Sequence, residues 1–248
     1  IVPTAEYNPF ECIKTNINGA MNVIDACIDK GIKKVVALST DKASNPINLY
    51  GATKLASDKL FVAYNSSSNS HNTSFSVVRY GNVMGSRGSI IPYFIEQAKT
   101  GQLSITDTSM TRFNITLEES VNMVLFSLKN SIGGEIFVPK IPSYKIMELA
   151  KSIGKSSKFK IIGIRQGEKI HEEMITKSDS FSTIDIGQYY IILPSIKKNY
   201  LNHYKKRFNF KKVPKGFSYN SGTNKDFLTI GKIRDLIKKH INNNFKPL

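Results

Sequence analysis

Tyr50 and Lys54 stand four residues apart, and the run Ser39-Thr40-Asp41-Lys42 ends eight positions before the tyrosine. On a helix, positions i and i+4 share a face. A Lys ammonium beside a phenol favours the phenolate and lowers its pKa from about 10, which gives a usable acid/base near neutral pH. Tyr-x-x-x-Lys alone is frequent on helix surfaces, so its weight rests on its surroundings. Here Lys34 to Ser39 reads as a short buried strand, which puts Thr40, Asp41 and Lys42 at a strand's carboxyl end. Ligands of open α/β sheets sit at that end.

The elements that must position these residues alternate along the first 160 residues. Asn8-Pro9 opens a helix that is expected to run to about Lys30 and leave at Gly31, with Ile13, Ile17, Met21, Ile24 and Cys27 near one face. Residues 50–65 read as a helix with Leu55, Leu60 and Ala63 inward. Phe75 to Arg79 reads as the next strand, and Ile90 to Thr100 as the next helix. Strand, helix and strand at this spacing imply crossover connections and a parallel sheet, a Rossmann-like α/β class. Beyond Leu103 short strands near 105, 136–138 and 159–164 mix with helices at 117–130 and 143–153, the pattern of a smaller α+β substrate lobe. A last amphipathic helix is expected over 225–243, with Phe227, Ile230, Ile233 and Ile237 apolar. The expected division is 1–102 for the dinucleotide-binding part, 103–194 for the lobe and 195–248 for a basic extension.

Composition narrows the classes. Hydrophobic residues make up 40% of the 248, enough for a core, and no apolar run approaches the ~18 residues of a membrane span. No signal peptide opens the chain, and the two cysteines, Cys12 and Cys27, match no metal spacing; both read as reduced core residues of a cytoplasmic protein. The net charge of +16 is uneven: residues 195–248 hold 14 Lys and Arg against Asp226 and Asp235, +12 of the total. Without a nucleic-acid motif, that tail reads as a solvated basic surface, and no nucleic acid is expected as a partner.

Four segments agree in order with one superfamily. A strand followed by polar Ser/Thr and then Tyr-x-x-x-Lys is similar to the catalytic signature of the short-chain dehydrogenases/reductases. Thr15-Asn-Ile-Asn-Gly-Ala-Met-Asn22 resembles a stretch of its extended members, and Arg79-Tyr-Gly-Asn-Val-Met-Gly-Ser-Arg-Gly-Ser89 resembles their nicotinamide and sugar loop. Ser39-Thr-Asp-Lys through Lys54, Met110-Thr-Arg-Phe113 and Ile164-Arg-Gln-Gly-Glu-Lys-Ile-His171 then resemble the inverting UDP-N-acetylglucosamine 4,6-dehydratases over roughly residues 1–195.

That resemblance implies roles. Tyr50, Asp41 and Lys42 are the expected catalytic groups, Asp41 as acid and Lys42 as base. Tyr50, Lys54, Val83, Met84, Gly85, Ser86 and Arg87 are expected at the NADP (or NAD) cofactor, with Lys54 also tuning Tyr50. Leu38, Ser39 and Asn82 are expected at the sugar, and Thr106, Arg112, Arg165 and Glu168 at the UDP. The implied partners are a UDP-amino-sugar and further copies of the chain; no metal is implied. Two departures stand out: Gln166 replaces the proline usual in this loop, and the glycine-rich nucleotide turn is not in this sequence. The resemblance places that turn in a βαβ unit of about 30 residues or more before Ile1. Alone, the chain is therefore expected to bind NADP poorly. A 4-epimerase, a retaining dehydratase and a non-catalytic binding relative are the rival readings.

Overall fold

The structure, a computed structural model, describes residues 2–67, 72–194 and 198–248. Ile1 and the first three positions of the expected 195–248 extension lie outside the described residues. The chain forms two units that interleave in sequence: 1–80, 121–140 and 173–219 in one, and 81–120, 141–172 and 220–248 in the other. This differs from three contiguous segments. The difference arises because strands far apart in sequence pair with one another, which no boundary read along the chain anticipates.

The first unit is built on a six-stranded sheet. Lys34–Thr40 pairs in parallel with Ser74–Tyr80, in register from Lys34↔Ser74 to Thr40↔Tyr80, and the Leu49–Ser67 helix makes the crossover. Ile136–Pro139 continues the parallel set through Val77↔Ile136. Tyr189–Ile192, Thr183–Asp185 and Lys211–Lys212 then add antiparallel strands. The 136–138 segment expected in the lobe thus lies in this sheet. Part of the expected basic extension does too: Tyr204, on the Lys198–Arg207 helix, is fully buried in a core with Val78, Met123, Phe137 and Ile191. Its hydroxyl donates to the buried Glu135 at 2.9 Å, and that carboxylate also accepts from the backbone of Ile132 and Gly133.

Lys34–Thr40 is the edge strand of this sheet, with Lys34 and Leu38 exposed, Leu38 at 52%, and only Ser39 fully buried. The expectation of a buried strand fails there because no strand flanks its outer side among the described residues. Its first residue caps another element: Lys34 Nζ donates to the carbonyls of Leu128 and Ser131 at 3.1 and 2.9 Å. A cation at these last carbonyls suits the negative end of the Leu117–Asn130 helix. The other end of that helix carries a capping box, in which Thr116 Oγ1 accepts from Glu119 N and Glu119 Oε2 accepts from Thr116 N.

The expected single helix over 8–30 is broken by a π turn, Lys14–Asn18, between Pro9–Ile13 and Gly19–Asp29. The wider turn rotates the following residues. Ala20 and Ile24 are buried, whereas Ile13 and Met21 are exposed. Both cysteines are free and half-buried rather than core. In the next helix the inward face is also not the apolar one: Ala63 is exposed, and Gly51, Thr53, Ser57, Asp58 and Phe61 are buried.

The second unit holds a three-stranded sheet of Asn82–Val83, Thr111–Ile115 and Ser143–Lys145, and a parallel pair of Gln102–Ile105 with Lys158–Ile161. Residues 143–145, expected in a helix, pair with 111–113, so the helix is Ile146–Ile153. The last helix is shorter than expected, Ile230–His240, opened by Thr229 Oγ1 accepting from Lys232 N. Its Ile233 and Ile237 join Phe94, Leu103, Ile105 and Leu149 in one core. Among the described residues no helix is long and apolar enough to cross a membrane.

Candidate active site

Thr40 ends its strand in an extended conformation, and the chain then tightens into a 3-10 turn over Asp41–Ala43. Thr40 Oγ1 accepts from Lys42 N at 3.4 Å and donates to Asp41 Oδ1 at 3.1 Å. That turn places Lys42 Nζ 3.0 Å from Asp41 Oδ1, with the Asp41 side chain fully buried and Lys42 about one-fifth exposed. Asp41 Oδ2 is buried and has no hydrogen-bond partner. A buried oxygen left unpaired is costly, so a donor from a bound molecule would be well received there.

The helix bearing Tyr50 is fixed at its start by two caps. Asn48 Oδ1 accepts from Gly51 N at 2.7 Å, and Glu6 Oε1, from the first helix, accepts from Leu49 N at 2.7 Å. Gly51 is required by contact: a Cβ there would lie inside the shell of the Lys42 carbonyl oxygen and against Pro46. One obstacle is the backbone of the 41–43 turn and the other a proline ring just beyond it, and neither can swing away. Gly51→Ala should therefore cost about 1–3 kcal/mol by overpacking and displace Lys42. Thermal melting and turnover measured on the same sample should fall together; an active, wild-type-like variant would show that the turn has slack.

Burial pushes the Tyr50 phenol above its ordinary pKa, while the Lys42 ammonium and a hydrogen bond from Thr40 pull it down and Asp41 and Cys12 push it up. Lys42 is thus a cation that acts on Tyr50. Lys54, expected in that role, donates to Leu38 O at 2.7 Å, and its pKa is lowered by burial against the opposing charge of Asp58. In this state Tyr50 holds its proton at neutral pH, and a further positive charge beside it would bring it down. Tyr80, at the end of the neighbouring strand, is raised by burial and then by Tyr50.

Asp41, Lys42, Tyr50, Lys54, Leu38 and Ser39 therefore gather in the first unit. Ser39, expected at the sugar, is buried and its hydroxyl donates to Asp58 Oδ2 at 2.8 Å. Sequence reasoning passed over Asp58 and took Arg79 only as a strand end and the first residue of the 79–89 loop; Arg79 Nη2 reaches the same oxygen at 3.2 Å. It also passed over the support beneath Tyr50: Thr53 Oγ1 donates to Tyr50 O at 2.9 Å and accepts from Asn16 Nδ2 at 3.0 Å, with Cys12 Sγ 3.4 Å away. Asn16 sits in the π turn of the Asn-rich stretch, and that stretch was the available signal.

The other expected residues lie in the second unit. Asn82 and Val83 pair with Asn114 and Ile115. Met84 is buried, whereas Ser86 and Arg87 are exposed. Gly85 has φ +74° and its α-carbon faces Ile241, so both conformation and space call for glycine. Arg112 lies beside the 164–171 motif: it donates to Ile170 O at 3.1 Å and Thr111 O at 2.8 Å, with Glu172 Oε1 3.7 Å from Nε. Thr106 donates to Met110 Sδ at 3.1 Å. Exposed Arg165 and half-buried Glu168 share one turn, Nη1 to Oε1 3.9 Å. Neighbouring His171 bonds Thr111 Oγ1 at 2.8 Å, and its pKa is lowered by burial and by Arg112.

Residues 1–194 match the polysaccharide biosynthesis protein family. A protein of Campylobacter jejuni subsp. jejuni serotype O:23/36 (strain 81-176), UDP-N-acetylglucosamine 4,6-dehydratase (inverting), is 54% identical over 245 residues, covering 95% of this chain and 72% of that protein. A UDP-glucose 4-epimerase of Rickettsia canadensis is 45% identical over 196 residues, 77% of this chain and 58% of that one. The X-ray structure of Pen from Bacillus thuringiensis superposes with a TM-score of 0.86 at 36% identity, covering 96% of this chain and 72% of that one. With Asp41, Lys42, Tyr50 and Lys54 all present and gathered on one strand end and one helix, the chain belongs to the polysaccharide biosynthesis protein family, in its branch of inverting UDP-N-acetylglucosamine 4,6-dehydratases.

Proposed function

We propose that this protein removes water from UDP-N-acetylglucosamine across C5 and C6, inverting C5 and leaving a 4-keto-6-deoxy UDP-sugar. The observation that carries this is the 3.0 Å Lys42–Asp41 pair, with a second Asp41 oxygen buried and unpartnered, beside Tyr50 at the end of one strand. Each unit has a feature that suits a nicotinamide dinucleotide: in the first, Lys54 presents an ammonium beside the strand end, and in the second, residues 83–87 turn through a glycine with positive φ. NADP is the form favoured here, with Tyr50, Lys54 and Val83 to Arg87 as its holders. When bound, it supplies a hydride acceptor that returns what it takes.

Tyr50, brought to its phenolate by a further positive charge beside it, takes the proton of the 4-hydroxyl as C4 becomes a ketone. The ketone acidifies the hydrogen on C5. Lys42 takes that proton, and Asp41 gives one to the departing 6-hydroxyl, so water leaves. This requires Lys42 neutral and Asp41 protonated, which is the ion pair of the structure with one proton moved along its 3.0 Å hydrogen bond. Elimination then regenerates the ion pair. The sugar regains hydrogen at C6 and, from the opposite face, a solvent proton at C5, and Tyr50 releases to solvent the proton it took. Leu38 and Asn82 would flank the sugar, and Thr106, Arg112, Arg165 and Glu168 the UDP, since a guanidinium fork suits phosphate. A second copy of the chain is the further partner proposed.

The deciding experiment incubates the full-length protein with NADP and UDP-N-acetylglucosamine in deuterated water and follows the sugar by proton NMR. A 4-keto-6-deoxy product carrying deuterium at an inverted C5 is expected. A sugar changed only at C4 would move the assignment to a 4-epimerase; a retained C5 configuration would move it to a retaining dehydratase.

A further inference from the structure

The chemistry above uses Tyr50, Lys54, Asp41 and Lys42 and leaves one buried acid of the same helix without a task. Asp58 lies one helical turn beyond Lys54 and is 2% exposed. Its Oδ2 accepts from Ser39 Oγ at 2.8 Å and Arg79 Nη2 at 3.2 Å. Those two residues are register partners on adjacent parallel strands, Ser39↔Arg79. One carboxylate oxygen therefore joins the catalytic helix to both strands, at the residue directly before Thr40-Asp41-Lys42. Arg79 is held from its far side by Met174 O at 3.1 Å and faces Asp179 at 3.8 Å.

Charge reinforces this geometry. Burial lowers the Lys54 pKa, and Asp58 is the group that opposes it; burial raises Asp58, and Arg79, Ser39 and Lys54 oppose that. The groups facing the pair are thus Arg79 on the strand, Asp179 behind it, and Ser39 at the strand end.

We propose that Asp58 is a positioning residue for the dehydration: it ties the Tyr50/Lys54 helix to the strand end that carries the acid and the base, and it is the counter-charge that holds the Lys54 ammonium. This rests on the dehydratase reading. A carboxylate serves both tasks where serine or asparagine would serve only the tie. Lys54 Nζ donates to the neutral Leu38 O at 2.7 Å, and Asp58 is the carboxylate that opposes the cost of burying its charge.

Asp58→Asn keeps the shape and an acceptor oxygen but removes the charge, and Ser39→Ala removes one tie and keeps the charge. Two readouts are taken on the full-length protein. The first is the pH profile of turnover with its split into kcat and KM. The second, made without substrate, is the titration of the Lys54 Cε resonance in 13C-lysine-labelled protein, assigned by its disappearance in Lys54→Arg. In Asp58→Asn, kcat should fall about tenfold or more with KM little changed, the alkaline limb should move to lower pH, and Lys54 should titrate at lower pH. In Ser39→Ala, kcat should fall while the Lys54 titration stays in place. An unmoved Lys54 titration and pH limb in folded Asp58→Asn would overturn the proposal. If that variant does not fold, an unchanged kcat in Ser39→Ala overturns it instead. If the wild-type protein dehydrates nothing, the dehydratase reading falls, and the Lys54 titration still decides whether Asp58 is its counter-charge.

Discussion

Lys42→Ala should bring formation of the 4-keto-6-deoxy sugar down by about two to four orders of magnitude, the usual contribution of a positioned acid or base. The loss should fall on the C5 step. Deuterium from solvent should no longer enter C5, while oxidation at C4, which needs Tyr50, should survive in single-turnover experiments as a transient change in cofactor absorbance. Removing the ammonium also leaves Asp41 buried without its cation, so part of any loss could come from the turn itself. Lys42→Gln separates the two effects. The amide can still donate to Asp41 Oδ1, which keeps the turn, yet it cannot take a proton from carbon. Equal inactivity in both variants, with melting temperatures near wild type for the glutamine, assigns the base to Lys42. Retention of C5 exchange in Lys42→Gln would transfer that role to another group and leave the 3.0 Å pair a structural one.

Arg79→Met should cost the fold about 3–5 kcal/mol, the range for removing one partner of a buried ion pair. Arg79 and Asp58 are 4% and 2% exposed at the side chain and 3.2 Å apart, and the guanidinium also satisfies Met174 O and faces Asp179. The methionine leaves a carboxylate and a carbonyl unmatched in a dry site. For a chain of this size, a melting temperature lower by roughly 10 °C is expected, at about 2–4 °C per kcal/mol. Arg79→Lys should recover only part of this, because one ammonium cannot reproduce two separately directed N–H contacts. Combining Arg79→Met with Asp58→Asn should cost less than the sum of the two, since the neutral amide no longer leaves a buried charge unpaired. A loss below about 1 kcal/mol in Arg79→Met, the range of an exposed pair, would mean that water reaches the site.

The two predictions touch the same few residues from opposite sides, and they divide according to what each residue type can signal locally. Lys42, Tyr50 and Lys54 announce themselves by spacing: a polar run at a strand end and an i, i+4 pair on the following helix. Arg79 and Asp58 carry no such mark. Arg79 read as the end of a strand and Asp58 as an unremarkable position of a helix whose leucines were taken to face inward.

Sequence alone determined the parallel βαβ unit, the strand-end placement of Asp41 and Lys42 and the Tyr50–Lys54 helix, because each depends on local patterns, and the family, because its motifs follow one another in order along residues 1–195. Tertiary structure decided which face of that helix is buried, how Asp58 and Arg79 are matched, and where the units divide. Those outcomes hang on partners distant in the chain: Ser39 with Asp58 across 19 positions, Arg79 with Met174 across 95, and the 136–139 strand beside 74–80. The physical reason is that a buried polar group is stable only when matched, and the match for Asp58 is supplied by two strands rather than by its own helix. The π turn at Lys14–Asn18 is a further case. Its Asn16 and nearby Cys12 meet Thr53 of the catalytic helix across 37 and 41 positions. A regular helical periodicity read from the sequence has no place for the extra residue that makes this meeting.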